Sequence, residues 1–282
     1  TVYVVDEKDC LTGRLSLKFS LLAAESTRSK IKELQKEDGI ISILAHDSAD
    51  KATKLMERYD LVALPVVNSE NSLLGRITID DAVDAIIEDA ERDYQLASGI
   101  SEDVESSDSV LTLTRARLPW LLIGLIGGLG GAYIIGAFDI HENARMALFI
   151  PLIAAMGGNV GVQSAAIVVQ GLASSSLGTG GIASRLSKEL GVGLINGAIC
   201  ALLILGSSMV LGFGTSLSIT VSIALLCVIV FAALFGTFVP LMLDRYKIDP
   251  ALATGPFITT VNDIIGLMIY FGVGSMISAY LA

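Results

Sequence analysis

Asp263 stands inside TTVNDIIGLMIYFGVG (Thr259 to Gly274), a stretch whose other residues suit a lipid-crossing helix. A carboxylate at the centre of such a helix costs about 2.5–3.5 kcal/mol on insertion scales. No Lys, Arg or His lies within ten residues of it on either side, so its partner must come from another helix or from an ion. The preceding segment DPALATGPF carries Asp249, Pro250, Gly255 and Pro256, which break the entry to the helix and free carbonyl oxygens close by. Oxygen ligands without thiol or imidazole suit hard cations such as Mg2+ and Ca2+. The structural alternative is an Asp263 satisfied by the Thr259 or Thr260 hydroxyl.

Two further groups of residues could handle cations. In GGNVGVQ, Asn159 and Gln163 lie four apart and share one helical face, either as amide links between helices or as the lining of a cavity. Between Asp80 and Asp108, eleven acids stand against one base, Arg92. Asp81, Asp84 and Glu88 follow at i, i+3 and i+7, with Asp89 beside them and Val83, Ile86, Ile87 and Ala90 mostly turned away. Like charges so spaced repel by a few tenths of a kcal/mol per pair, roughly, which multivalent cations would relieve. An acidic, solvated helix is the plainer reading of the same residues.

The elements that position these groups belong to two different polymers joined near Leu118. Residues 1–117 hold 14 of the 19 basic and 23 of the 29 acidic residues, leaving 5 and 6 for the remainder. That second part has too little polar surface for a soluble domain. Runs long enough to cross about 30 Å of hydrocarbon fall at 118–138, 146–173, 190–213, 217–243 and 256–281, so five transmembrane helices are expected. Arg115, Arg117, Arg185, Lys188, Arg245 and Lys247 would flank one side and Arg145 the other, which predicts a cytoplasmic amino terminus and an outside carboxyl terminus. Asp139 and Glu142 would lie at the external mouth. Glycine pairs at small-xxx-small spacing (Gly124/Gly128, Gly127/Gly131, Gly157/Gly161) predict close helix contacts in lipid.

The acidic part reads as an α+β domain: from Gly39 a strand, a helix, a strand, the turn SENS, a strand and a helix. YVVDEKDCLTGRLS near the start parallels PVVNSENSLLGRIT, so a unit of roughly sixty residues repeats and its first copy lacks its beginning. The expected division is residues 1–90 for the repeats, 91–117 for an acidic connecting helix and 118–282 for the membrane domain. Acidity argues against nucleic acid. Cys10, Cys200 and Cys227 have no metal or disulfide spacing, and no nucleophile–base pair or phosphate loop points to an enzyme. The opening at Thr1 without Met reads as a trimmed chain.

The repeats resemble a tandem CBS regulatory module. GRITIDD is similar to its nucleotide-contacting pattern, implying a possible ATP site at Gly75, Thr78 and Asp81; in the first copy Gly13 and Ser16 fit and Phe19 does not. Over nearly the whole chain, PLIAAMGGNVGVQSA, DPALATGPF and TTVNDIIGLMIY resemble the MgtE family of magnesium channels or transporters. That resemblance implies a homodimer in the cell membrane, in contact with lipid, with a pore between subunits lined by spans two and five. Asn159, Gln163, Gly255, Pro256 and Thr259 would line it, and Asp263 would recognise a largely hydrated Mg2+ entering passively. It also implies gating by cytosolic Mg2+ at Asp81, Asp84 and Asp89, with Glu88 on the same face and Asp249 sharing a cation. Three departures from the family pattern stand out: nothing in this sequence corresponds to the helical domain that members typically carry ahead of the CBS pair, Arg92 occupies a place where some relatives look acidic, and Gly255 stands where a relative would offer a side chain to the ion. A Na+- or H+-coupled exchanger and a membrane-anchored nucleotide or metal sensor are the rival expectations.

Overall fold

The computed structural model describes residues 2–15, 39–138, 140–173 and 181–281, the side chains of 140–143, 253, 280 and 281 excepted. The chain divides into two compact units, 1–91 and 92–282. Ser16, Phe19, Asp139 and the side chain of Glu142 lie outside the described residues.

In the first unit, β1 (Val2–Val5) and β2 (Leu11–Leu15) form one antiparallel hairpin. β3 (Ile43–Leu44), α1 (Ala49–Arg58), β4 (Ala63–Val67) and β5 (Leu73–Thr78) follow, with β4 parallel to β3 and antiparallel to β5. The repeat holds to the level of single atoms. Asp6 Oδ1 accepts from the amides of Lys8 and Cys10, and Asn68 Oδ1 from those of Glu70 and Ser72. Asp9 and Asn71 both take a left-handed conformation, and both hairpins carry a bulge, at Val4/Val5 and Val66/Val67. A short polar side chain that satisfies its own turn explains why Asp and Asn recur there. The two hairpins meet through Leu11 N–H to Asn71 O and Leu73 N–H to Asp9 O. Ile43, Ala52, Met56, Leu64 and Ala82 close the core beneath β3–β5.

α2 (Ile79–Ala97) carries the acids and ends earlier than the connecting helix expected over 91–117. The amides of Gly99 and Ile100 turn back to the carbonyls of Leu96 and Gln95, with Gly99 at φ +78°, a Schellman stop. After a non-helical stretch, Ser109 Oγ accepts from Thr112 N–H and starts α3 (Val110–Ala137), eight residues before the expected span.

Among the described residues, α3 is the first of five helices long and apolar enough to cross a membrane. α4 (Ile150–Ala173), α5 (Ile182–Val210), α6 (Thr215–Arg245) and α7 (Pro256–Leu281) are the others, with 3-10 segments at Ile140–Phe149 and Pro250–Ala253. α6 is the most buried and packs against α4, α5 and α7, while α3 packs on α7. Val221, Leu225, Val228, Ile153, Leu267 and Phe271 fill the centre. Fully buried Tyr270 donates its hydroxyl to Met146 O at 2.9 Å.

The expected glycine contacts separate into two classes. Gly127, Gly131, Gly157 and Gly161 are buried at crossings, whereas Gly124 and Gly128 meet open space. A Cβ on Gly161 would sit 2.8 Å from Ile258 Cγ2 and closer still to the Asn262 amide. Gly161→Ala should therefore lower the detergent unfolding temperature, with a cost of about 1–3 kcal/mol from overpacking. Gly128→Ala should leave it equal or slightly higher, since alanine favours helix and nothing stands in its way.

Candidate functional site

The site is built where α4 and α7 run side by side. Gly157, Gly158 and Gly161 give α4 a face without side chains, so α7 approaches closely: a Cβ on Gly158 would come 3.1 Å from Thr259 Cγ2 and 3.8 Å from Asp263 Oδ1. A cavity of about 360 Å3 opens beside this contact, lined by Ala155, Gly158, Asn159, Gln163, Thr259 and Asp263 among others. Asn159 and Gln163, paired in the sequence by their spacing, thus meet Thr259 and Asp263 from the other helix.

Asp263 is half-buried, and among the described residues no hydrogen bond or ion pair reaches its carboxylate. The hydroxyl expected as its alternative partner is engaged elsewhere, for Thr259 Oγ1 donates to Gly255 O at 3.1 Å. Thr260 packs on Gly127. Beside Asp263, Asn262 is 1% exposed, and neither its Oδ1 nor its Nδ2 has a partner among the described residues. Sequence reasoning passed over Asn262, although two adjacent polar residues in an apolar helix signal more than one buried need.

Gly255 and Pro256 are not part of the cavity lining. Gly255 has φ +58°, and a Cβ there would collide with the carbonyl of Ala97; Pro256 packs against Gly99. The glycine taken for a missing ion contact is the place where the turn after α2 rests on the entry to α7. Asp249 Oδ1 accepts from Ala251 N–H and caps the 3-10 segment, so one carboxylate oxygen has a local task.

On α2, Asp81 and Thr78 form a capping box. Thr78 N–H and Oγ1 donate to Asp81 Oδ2 at 2.7 and 2.6 Å, and Asp81 N–H faces Thr78 Oγ1 at 3.5 Å. The Thr-x-x-Asp portion of the GRITIDD pattern has this local explanation. Asp84, Glu88 and Asp89 are exposed, and among the described residues no ion pair reaches them. No group of three or more His, Cys, Asp or Glu converges among the described residues, because one helical row cannot fold its acids around a single ion. Val83, Ile86 and Ile87, expected to turn away from the acids, are exposed as well.

Glu189 falls one residue short of the span expected over 190–213, yet it lies inside a helix. α5 begins at Ile182, so Glu189 sits two turns inside it and accepts from Ser164 Oγ at 2.6 Å.

An acid-bearing, amide-lined cavity between apolar helices defines a membrane unit suited to cations, attached to a small α+β unit with repeated hairpins. Residues 150–273 match the MgtE model, described as a divalent cation transporter, and residues 31–88 match the CBS domain model. The magnesium transporter MgtE of Bacillus subtilis is 33% identical over 276 residues, 97% of this chain and 60% of its own. That of Enterococcus faecalis is 34% identical over 281 residues (99% and 61%), and that of Thermus thermophilus 31% over 280 (98% and 61%). The cytosolic domain of the Mg2+ channel MgtE in complex with ATP is 35% identical over 29% of this chain and 32% of its own, with a TM-score of 0.28, too low to argue from. The chain belongs to the MgtE family. It spans about 60% of the length of the curated relatives it matches.

The capping box gives a pH test. The Thr78 hydroxyl, and then the Thr78 amide, hold the Asp81 carboxyl below the usual carboxylate range. A carboxyl lowered in the folded state stabilises above its unfolded value, about 3.9, and loses that contribution as pH falls through the folded value. Hydrogen-exchange protection at the first turn of α2 should accordingly fall on acidification, and Asp81→Ala should flatten that dependence. Equal pH profiles for the two proteins would remove the capping role.

Proposed function

We propose that this chain carries Mg2+ across the membrane along the α4–α7 cavity, with Asp263 recognising the ion. The observation that carries the reading is the Asp263 carboxylate, half-buried between apolar helices and without a protein partner among the described residues. The curated relatives are named magnesium transporters, and the MgtE match covers both helices of the cavity. Mg2+ dehydrates reluctantly and keeps several waters. Asn159, Gln163 and Thr259 offer amide and hydroxyl groups that would hold such waters, while the carboxylate supplies the charge that prefers a divalent ion.

A homodimer would set two such cavities face to face, so that two carboxylates share one ion. Exposed Val83, Ile86 and Ile87 on α2 supply an apolar stripe for the same pairing. The exposed acids Asp84, Glu88 and Asp89 would bind cytosolic Mg2+ when it is plentiful and reduce flux. This mechanism does not require a nucleotide; Gly75, Thr78 and Asp81, the last two bonded to each other, are where the CBS resemblance would put one. Six basic residues against one favour a cytoplasmic amino terminus in the cell membrane. Passive entry then gains about 4.6 kcal/mol per 100 mV for two charges.

In liposomes loaded with a Mg2+ indicator, Asp263→Ala and Asp263→Asn should each reduce uptake about tenfold or more, a barrier increase of at least ~1.4 kcal/mol. Wild-type uptake should follow an imposed potential without a Na+ or pH gradient. Unchanged uptake in both variants would refute the role of Asp263.

A further inference from the structure

The bond between Ser164 and Glu189 joins two helices that otherwise barely touch. α5 packs along α6 rather than on α4. Ser164, in the middle of α4 and 4% exposed, nevertheless reaches across to Glu189 Oε1 at 2.6 Å, the short distance of a charge-assisted bond. A buried serine in a membrane helix has an easier option, the carbonyl one turn back. Ser218 and Ser222 take it. Ser164 does not.

The position of this bond on α4 gives it a consequence for the cavity. Successive helical residues point about 100° apart, so the direction of Ser164 fixes that of Gln163 and, one turn earlier, Asn159. Both of these line the cavity beside Asp263. On the opposite side Gly157 and Gly161 form a groove into which Val228 of α6 and Ile258 and Asn262 of α7 press. Rotation of a helix is normally resisted by ridges seated in grooves. The grooves of α4 are seated on α6 and α7, and the Ser164–Glu189 bond adds a directional hold from α5, which packing on α4 does not supply.

We propose that Glu189 is a positioning residue for the ion pathway: through Ser164 it sets the rotation of α4 about its own axis, and so the direction in which Asn159 and Gln163 meet the ion. The inference rests on the reading of the α4–α7 cavity as an ion path and deepens it. It is the hydrogen bond, rather than the charge of Glu189, that matters, so an amide oxygen in the same place serves as well.

The test compares Ser164→Ala, Glu189→Ala, Glu189→Gln and the double alanine variant in liposomes, reading the ratio of Mg2+ to Co2+ uptake. The two alanine variants should each shift the ratio by about threefold or more, the scale of one lost hydrogen bond. The double variant should go no further, and Glu189→Gln should retain the wild-type ratio. In parallel, Gln163→Cys in a chain with Cys10, Cys200 and Cys227 replaced by serine is labelled with a charged thiol reagent. Glu189→Ala should slow this labelling about threefold, again by loss of one hydrogen bond, and Glu189→Gln should not. An unchanged ratio and labelling rate in Glu189→Ala would overturn the proposal, as would a Glu189→Gln variant that fails as badly as the alanine. Should the wild type pass no divalent cation, the transport reading fails and the labelling rates alone decide the positioning role.

Discussion

The membrane unit depends on one constraint: a carboxylate between apolar helices must be compensated by something. Asp263 has no cation from the protein within reach along its own helix, and the hydroxyl one turn back, on Thr259, is committed to Gly255 O. Water and a metal ion remain as compensation, and both need space. The bare glycine face of α4 lets α7 come close, and the cavity beside that contact leaves open space at the carboxylate. Close packing and an acid-bearing cavity thus arise beside the same short motif, GGNVGVQ, glycines on one side of the helix and amides on the other.

The same crossing holds a second cost. Asn262 is buried against Gly161 without hydrogen bonds among the described residues, next to the acid. A buried amide left unpaired costs on the order of 1–3 kcal/mol. Packing of α7 against α4 and α6 offsets it, with Tyr270 bonded to Met146 O and Ile258 and Leu267 buried along the same helix. The interior therefore holds α7 by its apolar residues and leaves its two adjacent polar ones unsatisfied by protein.

Much of this was legible in the sequence for definite physical reasons. Asp263 stands out because it is a single charge in a long apolar run. Asn159 and Gln163 share a face because four residues make about one helical turn. The repeated hairpin announced itself through Asp6 and Asn68, each satisfying its own turn. Glu189 was hidden because Arg185 and Lys188 precede it, so the apolar run appears to begin at Leu190 although the helix starts at Ile182. The stop at Gly99 was masked by a long count of acids that takes no account of glycine. The fit of Gly255 under the turn after α2 left no sign because the carbonyl that requires it belongs to Ala97, far away in the chain. Distant contacts of this kind leave no periodic trace.

The central claim is that a divalent cation compensates the Asp263 carboxylate. Its most direct test is an anomalous-difference map of the protein with Mn2+ in place of Mg2+. A peak in the cavity between α4 and α7, beside Asp263 and absent from the Asp263→Asn protein, is the predicted result. A cavity without a peak, with the carboxylate bonded to Thr259 or Thr260 instead, would contradict it.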